Sequence, residues 1–113
     1  MNPYRDEYRL VLNKKDYVLR PTFEALAEME GMTGIELVPL ALKFQKAQVS
    51  LSTLKAVIMA GLKGAGQPVP DDLGALILKA GLANIILEIG QWLVSVFDGD
   101  KEEERPNDIE KKA

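Results

Sequence analysis

Apolar and polar positions alternate in two short runs near the N-terminus, then change to a helical rhythm that holds to residue 97. In the first run Tyr8, Leu10 and Leu12 point one way and Arg9 and Val11 the other, the period-two pattern of a half-buried strand. Tyr17-Val18-Leu19 resumes the alternation after the polar stretch Asn13-Lys14-Lys15-Asp16. The spacing predicts a β-hairpin over about residues 7–20 with a loop of about four residues. Pro21 lacks the N–H that another ladder bond would need, so it ends the second strand. Thr22 is placed to cap the orphan amides of a helix that opens Phe23-Glu24-Ala25-Leu26-Ala27-Glu28-Met29-Glu30.

Everything downstream reads as helix. Gly31 and Gly34 bracket a turn, and Thr33-Gly34-Ile35-Glu36 has the spacing of a capping box. Leu37, Leu40, Ala41 and Phe44 recur at helical intervals. Pro39 has no amide to give the ladder, so the second helix is expected to begin near Val38 with Pro39 in its first turn. A third helix opens at Ser50 or Ser52 and puts Leu54, Val57, Ile58, Gly61 and Leu62 on one face. Gly64-Ala65-Gly66-Gln67-Pro68 supplies its exit. Pro70 suits the first position of a fourth helix, with Asp71 and Asp72 at the positive end of its dipole. That helix runs to about Ala80, and Gly81 marks a bend or break. The predicted fold is α+β and mostly helical, an N-terminal β-hairpin packed on a bundle of four to five short helices.

The fifth helix, Leu82 to Phe97, is polar only at Asn84, Glu88, Gln91 and Ser95, which fall on one narrow stripe. A helix apolar over most of its girth is most often the centre of a bundle. A body of ~100 residues has few neighbours to cover it. Each large side chain left uncovered forgoes roughly 1.5–3 kcal/mol, so a surplus flank favours self-association or a partner helix. Ile85, Trp92 and Val96 form the flank expected to meet a partner, with Met59 as an adaptable contact. Leu93, on the opposite face, is expected in the core.

Composition narrows the chemistry. The 113 residues include no cysteine and no histidine, which excludes disulfides and thiolate sites and removes the commonest general base and zinc ligand. No metal, cofactor or catalytic residue is therefore expected, and the chain does not read as an enzyme. Ser50, Ser52 and Ser95 have no base beside them in any motif. Asp71-Asp72 reads as a helix start rather than a Mg²⁺ site. Gly61-Leu62-Lys63-Gly64-Ala65-Gly66 follows a helix and lacks the Walker lysine-hydroxyl ending, so it reads as a C-cap rather than a phosphate loop. From Asp98 onward there are seven acids and four bases, a net of −3 that equals the charge of the whole chain. Residues 98–113 are expected to be an acidic disordered tail, and 1–97 a single globular domain that is neutral overall. A neutral body is not built to grip nucleic acid. Lys79, Asn84, Glu88 and Gln91 interrupt the most apolar region, which argues against a membrane span. Tyr4 to Tyr8 is charged and does not read as a signal peptide, so a cytoplasmic setting is expected.

The hairpin, then Thr22 to Glu30, then Ala60-Gly61-Leu62-Lys63-Gly64-Ala65-Gly66, then Lys79-Ala80-Gly81-Leu82 resembles the gene-transfer-agent family of phage tail assembly chaperones. The resemblance covers about residues 5–97 and lies in order and pattern. It implies a non-enzymatic protein of phage or prophage tail morphogenesis. Such a protein binds the long helical tape-measure protein, keeps it soluble, and leaves as tail-tube subunits polymerise, so tape-measure and tail-tube proteins are the implied partners. Two alternatives stand beside it. One is a structural minor tail or tail-tube component, although tube subunits are predominantly β. The other is a small regulatory protein-binding module, and a homo-oligomer is compatible with all three.

Overall fold

The computed structural model describes residues 7–97; the expected acidic tail, residues 98–113, lies outside them. Strands β1 Tyr8–Leu12 and β2 Lys15–Leu19 pair antiparallel. Helices α1 Phe23–Thr33, α2 Leu37–Gln45, α3 Leu51–Gly64, α4 Leu73–Ala80 and α5 Leu82–Phe97 follow. This is the mostly helical α+β architecture that the pattern predicts. The alternation is realised as read: Leu10, Leu12, Tyr17 and Leu19 are buried, while Arg9, Val11 and Asp16 are exposed.

The hairpin loop is shorter than expected. Leu12 faces Lys15 across a two-residue turn in which Asn13 has φ 53° and Lys14 φ 65°. Positive φ at both central positions is the type I′ geometry, whose twist matches that of paired strands. Lys15 and Asp16 consequently belong to β2 and not to the loop.

Local polar chemistry sets the helix ends. Thr22 Oγ1 accepts from the Ala25 amide at 3.0 Å and caps α1. Helix α1 runs through Gly31 to Thr33, past the expected turn. A helical glycine costs only about 1 kcal/mol, and the left-handed cap position falls on Gly34, φ 72°. The capping box does not form, because Thr33 Oγ1 donates to the Met29 carbonyl at 2.7 Å and accepts from the Ile35 amide at 3.1 Å. The first amide of α2, on Leu37, donates instead to Glu30 Oε2 at 2.9 Å. Pro39 sits in the first turn of α2, as expected. Ser50, rather than Ser52, caps α3 by accepting from Thr53 at 3.1 Å. Helix α4 begins at Leu73 and not at Pro70, because the Leu73 amide closes a tight turn onto the Pro70 carbonyl at 3.2 Å. Gly81, with φ 100°, then turns the chain by 102° into α5. No single helix among the described residues is long and apolar enough to cross a membrane.

One continuous core joins these elements, with fully buried Leu19, Met29, Phe44, Ile58, Leu73 and Leu93 drawn from the hairpin and all five helices. The hairpin reaches that core by lying directly on the α3 backbone. The Arg20 amide donates to the Gly61 carbonyl at 3.0 Å. A Cβ at Gly64 would stand 2.4 Å from the Arg20 carbonyl oxygen, so only glycine allows this approach.

Candidate functional site

The flank of α5 expected to meet a partner is largely core. Trp92 is 4% exposed and Ile85 3%; Val96 is half-buried, and so is Met59, which packs against the core. Two features cover the indole. Gly61 presents no side chain, and a Cβ there would lie 3.2 Å from Trp92 Cη2. The Tyr8 ring stands 6.5 Å from the indole, centroid to centroid, at 35°. The expectation that Ile85 and Trp92 face a partner is therefore corrected: both are core, with Tyr8 of the hairpin and Gly61 of α3 against the indole, while Val96 stays half-buried. Periodicity within α5 carries no information about either cover.

The Tyr8 hydroxyl also donates to a carboxylate oxygen of Glu88, tying β1 to the polar stripe of α5. Burial raises the Tyr8 pKa above its ordinary value, and the bond to Glu88 and that group's negative charge push it further the same way. The large apolar residues that α5 leaves outside are Leu87, 49% exposed, and Phe97, 42% exposed.

An apolar groove opens at another place, where the start of α3 meets α4 and the first turn of α5. Its volume is about 210 Å³, and Leu51, Leu54, Ile77, Leu78 and Leu82 supply its walls. Gly74 contributes no side chain and leaves it open; a Cβ there would meet nothing within 4 Å. Leu51 and Leu78 stand 59% and 60% exposed at its edge. Among the described residues Lys55 is the one charged group on the lining. Pockets for drug-sized ligands run to about 300–1,000 Å³, so this groove suits one or two anchoring side chains of a larger partner. No motif or spacing in the sequence marks this groove directly. The available signal was in α4, Leu73-Gly74-Ala75-Leu76-Ile77-Leu78-Lys79-Ala80, which is apolar nearly all round although only Leu73, Leu76 and Ile77 are buried.

The polar groups are engaged in local structure. Ser50 caps α3, Ser52 Oγ lies 3.2 Å from Ser50 Oγ, and Ser95 Oγ donates to the Trp92 carbonyl at 2.6 Å. At the end of α3 the Gly66 and Gln67 amides donate to the Lys63 and Leu62 carbonyls, each at 2.9 Å. Those amides close the helix as the C-cap reading expects and are not turned toward a phosphate. Lys63 Nζ pairs with Glu28 at 2.9 Å beside Thr22 and Glu24. Among the described residues no three acidic side chains converge where a metal ion could sit.

Over residues 5–99 the chain matches the model of a family described as "Phage tail tube protein, GTA-gp10". No curated protein and no solved structure matches.

Proposed function

The chain belongs to this GTA-gp10 phage tail family, and from that premise we propose that it builds phage or gene-transfer-agent tails by binding other proteins, without catalysis. The observation that carries the binding role is the groove at α3, α4 and α5, where exposed leucines border a cleft of the size that receives a partner's side chains. The family description favours a structural component at the tail tube. A second reading, an assembly chaperone for the tape-measure protein in the producing cell's cytoplasm, draws support from the fold. Among the described residues the sheet is a single two-stranded hairpin, a narrow base for a β-built tube wall. The outer edge of β2 is already engaged, since the Val18 amide donates to Gln67 Oε1 at 2.7 Å and Arg20 bonds to Gly61.

Deletion of the coding sequence, followed by mass spectrometry of purified particles from complemented cells, tests the proposal. A tail component is required for tails and is present in the finished particle at a fixed stoichiometry. A chaperone is required and absent from the particle. Normal tails in the deletion strain would end both readings.

A further inference from the structure

We infer that the groove takes an acidic amphipathic helix, its apolar ridge seated between Leu51 and Leu78 and its carboxylates facing Lys55. The inference rests on the protein-binding reading above and names the chemistry of the partner at that same site. The lining is almost wholly apolar, and the exposed leucines on its two sides come from different helices. That arrangement receives side chains spaced at i, i+3, i+4 and i+7 along a partner helix. Charge selects among such helices. Of the three helices that wall the groove, α3 and α4 supply most of the lining and carry Lys55, Lys63 and Lys79 and not one acid. Lys63 is occupied by Glu28, whereas Lys55 lies on the lining itself. Asp71 and Asp72 precede α4 and do not line the groove, and on α5 Glu88 is held by Tyr8. A basic flank would meet like charge at Lys55, and an acidic flank meets its complement.

Two fluorescent peptides of identical apolar ridge, one flanked by glutamate and the other by lysine, titrated against the full chain by anisotropy, test this. The glutamate peptide should bind more tightly by on the order of tenfold, with a preference that fades as salt rises. Leu78→Glu and, independently, Leu51→Glu should abolish its binding; both positions are more than half exposed, and circular dichroism verifies the fold. Lys55→Glu should reverse the preference. Phe23→Ser removes a leading exposed aromatic outside the groove and should change nothing. Equal affinity for the two peptides overturns the inference, as does a loss in Phe23→Ser matching that in Leu78→Glu. So does self-association that Leu78→Glu abolishes, which makes a second copy the occupant. Binding that emerges only when the acids at 100–104 are changed to amides also overturns it, because the chain's own C-terminal segment then fills the groove. If the peptides fail while deletion still abolishes tails, the inference falls and the proposed function stands.

Discussion

Two helices end in the same hydrogen-bond motif with different residues at its critical position. In α3 the left-handed residue after the cap is Gly66, φ 72°; in α2 it is Ala47, φ 56°. The Ala47 and Gln48 amides return to Phe44 and Lys43 at 3.0 and 2.8 Å, as Gly66 and Gln67 do to α3. A Cβ is strained in the left-handed region, and glycine is not. Ala47→Gly should therefore stabilise the protein by about 0.5–1 kcal/mol and Gly66→Ala should destabilise it by a similar amount, read as opposite shifts of the urea midpoint. Tyr8 offers a test of pH dependence. Its folded pKa is raised, chiefly by burial and then by Glu88, so the native state holds a proton that an unfolded phenol releases near about pH 10. The stability from this group is fully present below that pH and is lost as pH rises above it. The stability gap between wild type and Tyr8→Phe should then be constant from pH 7 to 9 and close above about pH 10. A gap that stays level through that range would show that the raised pKa is wrong.

At the scale of elements, docking of the hairpin onto α3 depends on backbone proximity as much as on apolar area. Gly64 lies under the Arg20 carbonyl and Gly61 under Leu19, where an added Cβ would meet Leu19 Cβ at 2.9 Å. Neither obstacle is the free end of a flexible side chain, so the strand itself must move. Gly64→Ala should cost about 1–3 kcal/mol as an overpacked contact. Amide exchange should localise the damage: β1 and β2 lose protection while the α2–α5 pair keeps it. Uniform loss across the molecule would mean that the hairpin and helices unfold as one unit. The strand and helix types were legible because each rests on a local period or cap. The shortened loop, the continuation through Gly31 and the late start of α4 were not. The last two turned on which carbonyl accepted a particular amide, Glu30 taking Gly34 and Pro70 taking Leu73, and the loop on positive φ at Asn13 and Lys14.

For the whole molecule, the question is which apolar surface the fold consumes and which it leaves for a partner. Trp92→Ala should behave as a core deletion and cost about 3–5 kcal/mol, comparable with Leu93→Ala, instead of weakening association alone as the α5 pattern by itself suggested. Near-wild-type stability with lost association would return Trp92 to the surface. The sequence by itself determined the order of hairpin and helices, the inward faces of β1, α2 and α3, the cap at Thr22, the choice of Ser50 or Ser52 for α3 and the bend or break at Gly81. These depend on residues within one turn or one strand of each other. Only the tertiary structure decided that Tyr8 and Gly61 would enclose Trp92, and that Leu51 and Leu78 would stay outside beside Lys55. Both outcomes depend on contacts between elements dozens of residues apart, and an element's own period shows how much apolar surface it has without showing what will cover it.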